Sequence, residues 1–355
     1  LTRVLITGGA GFVGSNLAVS LAERHRDWEI LVLDNLYRRG SELNLPRLEE
    51  AGVQFIKGDV REPEDLAKLP KIDALVECSA EPSVMSGVDG DTGYIVHTNL
   101  TGAYNCLELA RRDSAFFVFL STSRVYPIAP QVDLKLEETE TRFELAAEQD
   151  VPGVSPAGIS ERFPLEGART LYGATKLAAE LLIEEYRGAL GVPAVIDRCG
   201  VIAGPWQMGK VDQGVFTHWM LAHYFRNPLS YIGFGGEGKQ VRDLLHALDL
   251  VDLVERQLLD PEAWDGRTVN VGGGRECSLS LRETTALCQK LTGNEVPLTP
   301  VAETRQGDVP IYLSDCARLF ELDEWRPRRS AEQVLSDIAD WIAADPERIA
   351  AALQV

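Results

Sequence analysis

The tract that most constrains this chain is Thr7-Gly8-Gly9-Ala10-Gly11-Phe12-Val13-Gly14, set between an apolar run (RVLIT, 3–7) and a helical pattern over 12–25. Gly8, Gly11 and Gly14 at a strand-to-helix turn permit a tight bend. They also admit a pyrophosphate close to the helix N-terminus and let the helix pack tightly on a sheet. Phe12 and Val13 belong to the same cofactor turn. Twenty residues past Gly14, at the end of the apolar run EILVL (29–33), stands Asp34, where a carboxylate takes the adenosine ribose hydroxyls. The spacing predicts a bound dinucleotide. Asp34 repels a 2′-phosphate and favours NAD over NADP, whereas Arg38 and Arg39 pull the other way, because arginines accommodate that phosphate.

Apolar runs at 53–57, 73–77, 116–120 and 193–197 continue the pattern, with helical periodicity at 12–25, 99–112 and 172–190 between them. Continuous apolar strands imply a sheet covered on both faces. The expected fold is therefore α/β, a Rossmann-type doubly wound parallel sheet with a smaller C-terminal substrate-binding lobe. The NAD-binding domain is expected over 1–199, with 127–171 as a long excursion over the sheet edge. Residues 200–355 form mainly the substrate lobe, with part of 240–265 returning to the first domain. Helical patterns recur in that half at 246–259, 279–292 and 331–344.

A length of 355 residues suffices for two packed lobes. The formal charge of −19, uninterrupted by any basic patch, repels phosphate backbones and argues against nucleic acid as a partner. No stretch approaches the ~20 apolar residues of a membrane span. With the first strand beginning at Arg3 or Val4 there is no space for a secretory signal, so a cytoplasmic protein with no membrane partner is expected. The six cysteines form no CxxC pair and stand apart from the five histidines, which predicts reduced, mostly buried thiols and no metal.

Tyr172-Gly-Ala-Thr-Lys176 opens a helix and puts tyrosine and lysine one turn apart on the same face. An ammonium beside the phenol favours phenolate, so Tyr172 can accept a hydroxyl proton while hydride leaves the same carbon. Ser121-Thr122-Ser123 follows the apolar strand FFVFL and places a hydroxyl at the carboxyl end of a central strand, the edge where open α/β sheets bind ligands.

Taken together, TGGAGFVG, Asp34-Asn35-Leu36, Gly58-Asp59-Val60, Asn99 with Gly102, STSRVY, YGATK and Asn270-Val271-Gly272-Gly273 resemble the extended short-chain dehydrogenase/reductase family, over nearly the whole chain and in its order. That family includes nucleotide-sugar epimerases, dehydratases and decarboxylases. The resemblance implies NAD as cofactor and Thr122, Tyr172 and Lys176 as the catalytic triad, with Tyr172 and Lys176 also meeting the cofactor. It places Asp34 and Asn35 at the cofactor, Asp59 and Val60 near the adenine, and Asn99 near the cofactor pocket. It further implies that GGEGKQVRDLLH (235–246) and Arg305-Gln306-Gly307-Asp308 serve a nucleotide sugar. Gln240, Arg242, Arg305 and Asp308 are then substrate contacts, the two arginines on the diphosphate. Helices 99–112 and 172–190 are the family's dimer-forming pair, which implies a homodimer or homotetramer.

In the family, 4,6-dehydratases carry an acidic pair after the catalytic threonine and decarboxylases a glutamate, whereas this chain has Ser123 and Arg124. Oxidation followed by re-reduction, hence epimerisation, is the better fit. Glu138-Thr139-Glu140-Thr141-Arg142, Asp212-Gln213-Gly214 before an aromatic-rich helix, and Gly238-Lys239-Gln240-Val241-Arg242-Asp243 resemble the CDP-paratose 2-epimerase (CDP-tyvelose epimerase) subgroup. That likeness adds Asp212 and Gln213 to the substrate contacts and favours a CDP-hexose. UDP-hexose 4-epimerisation is the alternative, with dehydration or decarboxylation behind it. A non-catalytic dinucleotide sensor is the remaining reading, although such proteins commonly lose the tyrosine or lysine, and both are present. Glu77 stands where the family commonly has histidine, Pro127 replaces a glycine, and Val201 sits where an asparagine usually meets substrate.

Overall fold

The computed structural model describes residues 2–83, 85, 91–208 and 214–353. A seven-stranded sheet is built from β1 (Arg3–Thr7), β2 (Glu29–Asp34), β3 (Gln54–Lys57), β4 (Ala74–Glu77), β5 (Phe116–Thr122), β6 (Ala194–Cys199) and β7 (Thr268–Val271). Their order is β7-β6-β5-β4-β1-β2-β3, and β1 pairs in parallel with both β2 and β4. The order reverses between β1 and β4, and a crevice at the carboxyl ends of the strands there is where such sheets take ligands. The expected doubly wound sheet is present, and β7 extends it beyond the six runs legible as strands.

The chain divides into two compact units. The first comprises residues up to Val125, Thr170–Arg198 and Leu250–Thr268. Its core is the apolar sheet under helices α1 (Phe12–Arg24), α2 (Gly102–Asp113) and α3 (Leu171–Leu190). All seven residues of β5 are buried, as a strand covered on both faces requires. Leu5, Leu31, Leu75, Leu107, Phe117 and Ile183 share one apolar cluster, each contributing roughly 2 kcal/mol by burial. Helix α3 starts at a Thr170 cap whose hydroxyl accepts from the Gly173 amide, and ends at Gly191 in the left-handed region.

The second unit comprises Tyr126–Arg169, Cys199–Asp249 and Val269–Val355. The excursion expected to belong with the first domain thus clusters with the C-terminal half. Asn270 shows why: its amide groups bond Tyr126 Oη at 2.7 Å and the Ile159 carbonyl at 2.8 Å, while its backbone N–H donates to Glu161 at 2.6 Å. The excursion also carries a hairpin, Leu136–Glu138 with Phe143–Leu145. Strand Val241–His246 pairs with Val201–Ala203, Ser278–Ser280 and Ile311–Tyr312, beside packed helices Val215–Phe225, Leu281–Thr292 and Ala331–Ala344. Arg142 and Thr141 bond Glu283 in the first turn of the helix Leu281–Thr292, at 3.3 and 2.8 Å, and Arg142 reaches Ser278 Oγ at 2.7 Å. Thr141 and Arg142 of the ETETR run are thereby anchored to that helix. Among the described residues no helix is long and apolar enough to cross a membrane. The cysteines carry no disulfide; five are buried and Cys78 is half-buried.

Candidate active site

The first unit holds a solvent-open cleft. It brings together six residues read from the sequence as cofactor contacts: Gly8, Gly11, Asp34, Asn35, Asp59 and Val60. The glycine turn has the predicted form. Gly8 adopts φ +63°, and a Cβ on Gly14 would lie 2.4 Å from the Gly8 carbonyl oxygen, so helix and turn approach as only glycine allows. Helix α1 has no side-chain cap at Gly11, which leaves its first N–H groups to an anion, with Phe12, Val13 and Gly14 supplying them.

Asp34 ends β2 and does more than the sequence indicates. Its carboxylate accepts from the Ala10 amide at 3.0 Å and the Leu36 amide at 2.8 Å, tying the glycine turn to the second strand. Burial raises its pKa, against those amide bonds. Asp59 is held by Arg61, through two bonds of 2.9 and 2.6 Å, and by Asn35 at 2.9 Å. Burial works to raise its pKa, but these partners win and bring it down to about 2. Tyr37 and Tyr94 also line the cleft, with ring centroids 4.8 Å apart and the Arg61 guanidinium 5.1 Å from the Tyr94 ring. Their aromatic wall, suited to a flat adenine, joins positions 57 residues apart and has no local sequence signal. Asn99 is not on the cleft surface. It is buried behind it, accepting from the Glu81 amide at 2.8 Å and donating to Thr175 Oγ1 at 3.3 Å, and so fixes the loop after β4 to α3. Glycine turn, uncapped helix, the Asp34 carboxylate and aromatic wall together fit a dinucleotide.

Thr122 closes β5, buried, with its hydroxyl accepting from the Arg124 amide at 3.2 Å. Tyr172 is the second residue of α3 and half-buried; Thr175 Oγ1 donates to its carbonyl at 2.9 Å. Lys176, one turn on, is 2% exposed. Its Nζ lies 3.3 Å from Glu77 Oε2, at the end of β4, and 4.0 Å from the centre of the Phe119 ring. Next to Thr122, Ser121 bonds Glu180, which Arg198 holds at 2.7 Å. Neither carboxylate was singled out for this contact from sequence, because each meets its partner only through the fold.

Residues 4–272 match the NAD dependent epimerase/dehydratase family. The chain belongs to that family. It is an NAD-dependent sugar epimerase or dehydratase, and its cofactor is NAD. It is 29% identical to the CDP-paratose 2-epimerase of Salmonella typhi, over 96% of this chain and 99% of that one. It is also 29% identical to the dTDP-glucose 4,6-dehydratase of Mycolicibacterium smegmatis, over 97% and 94%. The Thermus thermophilus UDP-glucose 4-epimerase, solved in complex with NAD, superposes with a TM-score of 0.77 at 25% identity, over 97% of this chain and all of that one.

Of the residues expected to contact substrate in this epimerase/dehydratase, Asp212 and Gln213 lie outside the described residues. Thr122, also expected to meet substrate, is in the first unit, and the other four are in the second. Gln240 is buried, its amide N–H donating to the Ile232 carbonyl at 2.9 Å, and its Oε1 has no partner among the described residues. Arg242 is paired with Asp308 at 2.6 Å and also donates to the Val309 carbonyl at 2.7 Å. Arg305, half-buried, accepts at its carbonyl from the Asp308 amide at 3.2 Å. Arg305 and Asp308 thus share one turn, and Arg242, on the strand Val241–His246, is braced by Asp308. Among the described residues no group of three His, Cys, Asp or Glu is placed to hold a metal.

Proposed function

We propose that this protein is a nucleotide-sugar epimerase that inverts C2 of a CDP-hexose. The observation that carries the choice of epimerisation over elimination is the turn after Thr122. Its positions are Ser123 and Arg124, closing back on Thr122 through the Arg124 amide, so no carboxylate follows the threonine to serve as acid or base in eliminating water. Tyr172 and Lys176 are then the acid–base pair, and Thr122 orients the reacting hydroxyl. NAD, held by the glycine turn and Asp34, would supply hydride-acceptor and hydride-donor chemistry at C2. Tyr172 takes the C2 hydroxyl proton as that carbon is oxidised and gives it back when the opposite face of the 2-keto sugar is reduced, so nothing is consumed. Arg242 and Arg305 suit the diphosphate that keeps the sugar attached while it turns, with Asp308 bracing Arg242. The 2-position and the cytidine base rest on the ETETR and GKQVRD motifs and on the likeness to the Salmonella typhi enzyme.

The test is a proton-NMR screen of CDP-, UDP-, GDP- and dTDP-hexoses. Inversion at C2 of a CDP-hexose is expected. Inversion at C4 of a UDP-hexose would replace this reading, as would loss of water from a dTDP-hexose. Tight NAD with no turnover of any sugar would leave a sensor.

A further inference from the structure

We propose that Glu77 is a positioning residue for Lys176, the counterion that keeps this ammonium charged and fixed one turn from Tyr172; the proposal rests on reading Tyr172 and Lys176 as the catalytic pair. Glu77 ends β4, and both side chains are almost wholly withdrawn from water, 1% and 2% exposed, with 3.3 Å between Oε2 and Nζ. A lysine so enclosed, without an opposite charge, sheds its proton, because burial penalises the charged form. The Phe119 ring face, 4.0 Å from Nζ, adds attraction for a cation but cannot replace a counterion. Burial raises the pKa of Glu77, while Lys176 and the Ser79 amide act to lower it, and the 3.3 Å contact sets the carboxylate against the ammonium. Among the described residues, the Cys78 thiol, next in the chain, and Cys106 on α2 also feel the charges of the pair. Burial pushes both well up, and they stay neutral.

Glu77 does not line the cofactor cleft, whereas its neighbour Cys78 does. It therefore acts through Lys176 rather than on a ligand. A charged lysine stabilises the Tyr172 phenolate; a neutral one does not. Removing the carboxylate removes both charges, and the phenol loses the nearer, favourable one.

The test is Glu77→Gln, which keeps the shape of the side chain and discards its charge. In protein labelled with 13C at the lysine ε-carbons, with the Lys176 signal identified by its loss in K176Q, Lys176 is expected to release its proton at least about one pH unit lower in E77Q than in wild type. This reading needs neither substrate nor cofactor. In turnover, E77Q is expected to lower kcat about tenfold or more at pH 7, to change KM less than about twofold, and to move the acidic limb of the kcat profile to higher pH. An unchanged Lys176 titration overturns the proposal, and so does an acidic limb that moves to lower pH. If E77Q does not fold, the neutral pair E77Q/K176Q serves: it should turn over within about twofold of K176Q alone, since coupled residues are non-additive. A further loss in the double variant overturns the proposal. Full turnover by Y172F would instead overturn the catalytic pair itself, while the lysine titration still judges the ion pair.

Discussion

At Tyr172 a single oxygen carries the proposed chemistry. Tyr172→Phe is expected to lower kcat by about 10²- to 10⁴-fold, the usual contribution of a positioned acid–base group, with NAD binding and thermal unfolding close to wild type. Near-normal kcat would remove Tyr172 from the mechanism. Lys176→Ala is expected to lose NAD affinity as well as turnover, and stability too, since it leaves the buried Glu77 carboxylate without its counterion. Gly14→Ala tests the cofactor turn: its Cβ would meet the Gly8 carbonyl at 2.4 Å, so isothermal titration should show NAD affinity reduced at least about tenfold, by displacement of the turn. Unchanged affinity would refute the close approach. These residues are legible in the sequence because each sits in a short motif with fixed spacing. The Glu77–Lys176 contact spans 99 residues; the sequence marks Glu77 only as a departure from histidine, and the fold alone supplies its partner. The same holds for Tyr37 and Tyr94.

The strands of the sheet are legible for a different reason, since a strand buried on both faces must be apolar throughout. Strand β7 (TVNV) is interrupted by the polar Asn270, the hairpin strands at 136–145 have three residues each, too few for periodicity to register, and the grouping of 126–169 with the second unit depends on side-chain bonds to Asn270. One buried polar contact within the first unit has a measurable consequence. Asp197 on β6 accepts from Gln257 at 2.9 Å, and burial, against that bond, pushes its pKa up to about 7. Its unfolded value is ~3.9, so the folded chain binds the extra proton between the two. The stability from Asp197 is thus fully present below about 4 and is lost as pH rises through about 7. Asp197→Asn, which keeps an acceptor for Gln257, is expected to raise Tm relative to wild type at pH 8 but not at pH 4. An equal change at both would contradict the burial argument.

For the whole molecule, we propose a homodimer built on α2 and α3. These neighbouring helices leave Tyr104 and Leu181 exposed, at 44% and 57%, with the Tyr104 ring edge-on to Tyr186 at 6.5 Å. Light scattering at micromolar concentration is expected to report at least a dimer, and Leu181→Glu to shift it toward monomer by burying charge in an apolar contact. A wild-type monomer would refute this. The central claim, transient oxidation with return of the same hydride, is tested most directly by running the reaction in deuterium oxide and examining the inverted carbon by NMR and mass spectrometry. The hydrogen on that carbon leaves and returns without meeting water, so the product is predicted to carry no deuterium at C2, and C2-deuterated substrate to keep its label. Solvent deuterium at the inverted carbon would contradict the account, because it would require abstraction of a carbon-bound proton by a base other than Tyr172.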